Sequence, residues 1–350
     1  MRCAEDRAVS PRPRPMGANE NPLGPSPRAQ AAIARVLTQV HRYPDPDGLT
    51  LKQALQRRFG LAPERLLVGN GSSELIDLAA RSLLRPGDEA VHSQYAFVSY
   101  SVAIRAAGGV AIEVPARDHG HDLQAMREAV GPRTRLVFIA NPNNPTGTRL
   151  DAAALRDFLR SLPTRVAVLL DEAYVDYQPV AERVDGFALA DAFANLIVTR
   201  SFSKAYGLAG LRVGYAVAQP QLLQRLNALR PIYNTNLLAL HGAAAALEDE
   251  EFLAAARRVN DAGLAQLQAG FTQLGLEPIA SSGNFVTVGL AATDPTAESV
   301  HRQLLGAGFA TRWLAGPWSM PGHLRVSVGR ADDNAALLKA LAGIVGRGTA

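Results

Sequence analysis

Cysteine and lysine are the residues this chain nearly does without. Of 350 residues one is cysteine, Cys3, and three are lysine, against thirty-three arginines. A single cysteine excludes an intramolecular disulfide, and the chain is expected in a reducing cytoplasm. No apolar run is long enough to span a bilayer. Residues 1–15 hold arginines and prolines but no apolar core of a signal peptide, and read as a mobile or extended arm. The formal net charge of +4 comes with no polybasic block and no basic–aromatic interleaving, so neither nucleic acid nor a membrane surface is an expected partner. No metal is expected.

What is present is a soluble enzyme's composition, 47% hydrophobic and 19% charged. The length favours one large domain and one smaller one. Short apolar strand candidates run through the first two thirds: 66–68, 89–91, 110–114, 136–140, 167–170, 196–199 and 213–217. Helical stretches or loops separate them, which is the pattern of a mostly parallel sheet covered on both faces. From residue 239 to 274 the pattern is helical and alanine-rich. Strand patterns at 284–290 and 324–328 around a helix at 296–305 then predict a smaller α+β unit. The domain break is expected near 235.

Scarcity makes each lysine informative, and Lys204 sits in Arg200-Ser201-Phe202-Ser203-Lys204-Ala205-Tyr206-Gly207-Leu208-Ala209-Gly210-Leu211-Arg212. An amine that loses its proton can condense with an aldehyde, which a guanidinium cannot do. Ser201, Ser203 and Arg212 around it suit a phosphate. Alone, the segment reads more readily as a surface lysine in a glycine-rich loop.

Three further segments change that balance. Gly69-Asn70-Gly71-Ser72-Ser73-Glu74 joins a strand to a helix and aims backbone N–H groups at one point, which fits a phosphate as well as an ordinary helix cap. Asn141-Pro142-Asn143-Asn144-Pro145-Thr146-Gly147 is a rigid turn at the ligand-binding edge of a parallel sheet, where an asparagine can donate to a phenolate oxygen. Asp171-Glu172-Ala173-Tyr174 ends an apolar strand. A carboxylate buried there needs a cation, and a protonated pyridine nitrogen is one. Together the segments call for pyridoxal phosphate.

With Ala18-Asn19-Glu20-Asn21-Pro22, Arg42-Tyr43-Pro44 and Leu324-Arg325-Val326-Ser327-Val328-Gly329, these motifs run in order along nearly the whole chain. The chain resembles class I/II, fold-type I pyridoxal-phosphate aminotransferases, and among them the histidinol-phosphate aminotransferases. The resemblance implies a large domain with a mostly parallel seven-stranded sheet between helices over 18–235, a smaller α+β domain over 236–350, and an arm over 1–17. It implies that Lys204 holds the cofactor and shuttles a proton, that Asp171 pairs with the ring nitrogen, and that Asn144 and Tyr174 meet the ring oxygen. Phe97 would stack on the ring, and Gly71, Ser72, Ser73, Ser201, Ser203 and Arg212 would bind the phosphate. Tyr43 would reach the neighbouring subunit's site in a homodimer with shared sites. Arg325 would clamp a carboxylate, with Arg312, Asn21 and Asn234 near the substrate.

The implied reaction passes an amino group from a small-molecule donor, L-histidinol phosphate, to a 2-oxo acid, 2-oxoglutarate. An aminotransferase for aromatic or unusual amino acids, a threonine-phosphate decarboxylase-like enzyme and a non-catalytic pyridoxal-phosphate sensor are the rivals. The chain departs from the family in having no tyrosine in residues 1–15 and in Ser73, Trp313 and Arg330.

Overall fold

The structure, a computed structural model, describes residues 12–290 and 295–346. Cys3 and the greater part of the expected arm lie outside the described residues. The large domain is built on seven strands in the order Leu66–Gly69, Gly214–Val217, Leu196–Ser201, Ala167–Asp171, Thr134–Ala140, Glu89–Ser93 and Val110–Val114. Only Gly214–Val217 runs against its neighbours. The central strands are apolar without alternation because both faces are covered. Val137, Ile139, Val168 and Leu170 enter the core on one face, while Leu136, Phe138, Leu169 and Ile197 enter the core on the other. This is the expected α/β architecture.

Strand register sets the site. Ala140 pairs with Asp171, and Asp171 with Thr199. Ser201 pairs with Gly214, and Gly214 with Gly69. The glycine turn, Ser201, Asp171 and the Asn141 turn therefore emerge side by side along one edge of the sheet.

The smaller domain carries a four-stranded antiparallel sheet in the order Arg312–Trp313, His323–Ser327, Phe285–Gly289 and Glu277–Pro278. Helices Ala297–Gly306 and Ala331–Val345 and the end of Glu250–Gln273 complete its core. Two features refine the expected boundaries. Arg14–Pro15 pairs in parallel with Phe309–Ala310, and the buried Met16 joins the small-domain core, so this part of the arm is docked. Helix Leu237–Leu247 packs into the large-domain core through Ala239, Leu240, Ala243 and Leu247. The transition falls inside helix Glu250–Gln273, later than 235: Leu253 belongs to the large core and Leu267 and Phe271 to the small one. Among the described residues no helix is long and apolar enough to cross a membrane, and no cluster of three or more His, Cys, Asp or Glu could hold a metal.

Candidate active site

A cavity of about 300 Å³ opens at that sheet edge, between the two domains. Its phosphate-like end is made by the start of helix Ser72–Leu83. No side chain caps this helix, so neither Ser72 nor Ser73 spends its hydroxyl on the first turn. The N–H groups and the positive end of the helix dipole are left for an anion. Gly71 has φ +79, and a Cβ there would collide with the Arg212 guanidinium. The residue lies behind Arg212 and does not line the cavity. Arg212 donates from Nη1 to Ser203 Oγ at 3.2 Å, and the Ser203 N–H donates to Ser201 Oγ at 3.1 Å. Ser72, Ser73, Ser201, Ser203 and Arg212 all line the cavity.

The same cavity is lined by Asp171, buried and the only acid among its described lining residues. Tyr100 donates to its Oδ2 at 3.0 Å and Thr199 to its Oδ1 at 3.3 Å. Burial raises its carboxyl from 3.8 to about 6 in spite of both bonds. Among the described residues no basic side chain forms an ion pair with it. A carboxylate placed so is suited to a cationic ligand group.

Lys204 lines the cavity as well. Its side chain is half-buried, and Nζ donates to Ala18 O at 3.1 Å and lies 5.6 Å from the Tyr174 ring centroid. Burial, helped by the Arg325 charge, lowers the amine from 10.5 to about 8. The loop that carries it is fastened by buried Phe202, Ala205, Tyr206 and Leu208. Gly207, at φ +68, lies so close to the Gly24 carbonyl that a Cβ would overlap it. Tyr174 accepts a hydrogen bond from Asn19 Nδ2 at 2.9 Å, so its own proton is free to be donated. Burial holds the phenol above its usual range, and it stays neutral.

The third wall belongs to the small domain. Arg312 and Arg325 are cross-strand partners, and both line the cavity. Arg325 is buried. It donates from Nη2 to Gly17 O at 2.8 Å and from Nη1 to Asn144 Oδ1, while its buried Nε has no partner. Its guanidinium carbon lies 5.3 Å from the rings of both Phe285 and Trp318. Neither arginine forms an ion pair among the described residues. Phe97 lines the cavity beside Tyr100, its ring nearly perpendicular at 5.9 Å.

Besides Gly71, three expected site residues lie away from the cavity in this chain. Asn21 spends its amide on Ala205 O at 2.8 Å and its carbonyl on the Leu23 N–H at 2.9 Å, fastening the N-terminal segment to the lysine loop. Asn234 bonds Glu74 Oε2 at 2.5 Å and Val68 O at 3.2 Å, bracing the glycine turn from behind. Tyr43 is 81% exposed and stacks on Tyr233 at 4.6 Å, pointing into solvent. Asn19, Tyr100, Thr199 and Trp318 were missed as functional residues. Asn19 sits inside a motif that stood out, and Tyr100 one helical turn beyond Phe97, so both left a faint signal.

A phosphate at the helix start, a planar ring between Phe97 and Asp171 and an electrophile at Lys204 fit this donor set, and the Arg212 cradle requires Gly71 to lack a Cβ. The chain matches the family Aminotransferase class I and II over residues 15–341, and it belongs to that family. It is 47% identical to histidinol-phosphate aminotransferase 2 of Pseudomonas fluorescens over 332 residues, 95% of this chain and 89% of that protein. It is 48% identical to histidinol-phosphate aminotransferase 1 of Cupriavidus pinatubonensis, over 93% of this chain and 86% of that protein. The crystal structure of histidinol-phosphate aminotransferase from Sinorhizobium meliloti in complex with pyridoxal-5'-phosphate superposes with a TM-score of 0.91 at 29% identity, covering 96% of this chain and 91% of that one.

Proposed function

We propose that this protein is a pyridoxal-phosphate-dependent aminotransferase that takes the amino group from L-histidinol phosphate and gives it to 2-oxoglutarate, yielding imidazole acetol phosphate and L-glutamate in histidine biosynthesis. The observation that carries the substrate class is the pair Arg312 and Arg325, two guanidinium groups on one cavity wall with no carboxylate partner among the described residues. They suit a phosphate in one half-reaction and a dicarboxylate in the other. Two curated relatives near half identity carry the name of that reaction.

Pyridoxal phosphate, when bound, supplies an aldehyde for the lysine amine and a protonated ring that withdraws electrons from the substrate. The chain's own residues do the rest. Gly71 leaves room for Arg212, which with Ser72, Ser73, Ser201 and Ser203 anchors the phosphate. Asp171, ionised near neutral pH, holds the proton on the ring nitrogen. Tyr174 and Asn144 meet the ring oxygen, and Phe97 covers the ring face. Lys204, with its amine lowered to about 8, takes the proton from the carbon that bears the substrate's amino group and returns it to the neighbouring centre. Arg325 orients the substrate anion. Asn21 and Asn234 act on the site only through the segments they brace.

The exposed Tyr43 supports a homodimer in which it completes the partner's phosphate site, in a cytoplasmic enzyme. The test of function is a product assay. L-histidinol phosphate and 2-oxoglutarate should give L-glutamate with ping-pong kinetics and no carbon dioxide. Carbon dioxide release would favour the decarboxylase reading, and cofactor binding without turnover of any donor would favour a sensor.

A further inference from the structure

The two tryptophans of this chain flank one short connection: Trp313 ends strand Arg312–Trp313 and Trp318 lies in the turn that follows, and the chemistry above uses neither. Trp318 ends the turn Gly316–Trp318 and lines the cavity. Its ring lies 5.3 Å from the Arg325 guanidinium carbon on one side and 6.3 Å from the Phe97 ring on the other, tilted by 41°. The indole thus spans the space between the ring-stacking aromatic and the anion-binding arginine. A substrate bound between Lys204 and Arg325 shares this cavity with the indole.

The loop is built to hold that indole in place. Leu314 N–H donates to His323 O at 3.1 Å, Met320 N–H to Leu314 O at 2.9 Å, and Ser319 N–H to Gly316 O at 3.0 Å. Leu314 and Met320 are buried beneath it, and Ser319 turns the chain back at φ 57. The Trp313 indole N–H closes the far side by donating to Pro321 O at 2.8 Å. A rigid aromatic side chain gives contact area at little cost in rotamer freedom, and its face accepts both a flat ring and a cation.

Resting on the histidinol-phosphate reading, we propose that Trp318 determines specificity for a donor that carries a planar ring as well as an anion. Its indole packs against the substrate's imidazole while the arginines take the charge, and Trp313 is the positioning residue that holds the loop. Glutamate has no ring and gains only from the arginines.

The test is the ratio of kcat/KM for L-histidinol phosphate to that for L-glutamate, measured on holoenzyme. Trp318→Ala should lower the ratio on the order of ten-fold, the scale of a lost aromatic stacking contact. Trp318→Phe should restore most of it. Trp313→Phe should act through KM for histidinol phosphate with kcat retained. An unchanged ratio in Trp318→Ala, or an equal fall for both substrates, overturns the proposal while wild-type turnover of histidinol phosphate leaves the wider reading standing. A wild type inert toward histidinol phosphate overturns both.

Discussion

Tyr100 donates its hydroxyl to Asp171 at 3.0 Å, both residues buried, and this bond steadies the only acid among the described residues that line the cavity. Burial pulls the carboxyl towards its neutral form, and the Tyr100 and Thr199 bonds pull it back. Tyr100→Phe removes the stronger of the two restraints. The acid limb of the activity profile should move up from its wild-type position, with about a ten-fold loss of kcat/KM at pH 6 and a smaller loss at pH 8. A pH–rate series on both proteins checks it, and coincident profiles would refute the assignment.

The same group links pH to stability in the cofactor-free protein. The Asp171 carboxyl is raised from 3.8 to about 6 by folding. Within that window the folded chain keeps a proton that the unfolded chain has lost. Its contribution to stability is therefore fully present below the lower value and is lost as pH rises through the upper one. Asp171→Asn should flatten this part of the Tm-versus-pH curve while lowering turnover by about 10²-fold or more. Differential scanning across that range gives the answer directly.

Lys204 titrates at about 8 because burial, and then Arg325, disfavour its charge. Capture of the aldehyde by cofactor-free enzyme should accelerate as pH rises through that value. Arg325→Gln should shift the midpoint upward, since it removes a positive charge. Lys204→Ala should give no borohydride-fixed adduct by mass spectrometry and essentially no turnover. An adduct retained in that variant would move the chemistry to another residue.

The cradle around Arg212 leaves no space for a side chain at Gly71, whose φ of +79 is also costly for any other residue. Gly71→Ala should weaken cofactor binding by about ten-fold or more while the fold survives. Equilibrium dialysis measures this, and unchanged affinity would mean that Arg212 moves aside freely.

The proposed homodimer puts Tyr43, exposed in its own chain, to work in the neighbouring subunit's site. Mixing Tyr43→Ala with Lys204→Ala subunits should then create one intact site per mixed dimer. Activity should rise above that of the Tyr43→Ala protein alone, counted per functional lysine. Strict additivity of the two parents would exclude shared sites.

Much of this was legible before the structure. Apolar patterning found the seven sheet strands, most plainly the central Thr134–Ala140, Ala167–Asp171 and Leu196–Ser201, because buried parallel strands are nearly uninterrupted apolar runs. Lys204, Asp171, Asn144, Tyr174 and the hydroxyl cluster were legible because each closes a strand at one sheet edge. Asn19 and Tyr100 were not, because their tasks depend on partners 155 and 71 residues away. Asn21 and Asn234 showed the converse: polar residues near the motifs that spend their amides on the backbone and on Glu74. The later domain break has a similar origin. Helix Leu237–Leu247 is apolar all round, and such a pattern does not say which core it enters.

The most direct test is an absorbance titration of holoenzyme under single-turnover conditions with L-histidinol phosphate, beside L-glutamate and L-phenylalanine. The account predicts rapid loss of the lysine-linked cofactor band with histidinol phosphate at low concentration, a response to glutamate at higher concentration and little with phenylalanine. A band that responds to glutamate or phenylalanine and ignores histidinol phosphate would contradict it.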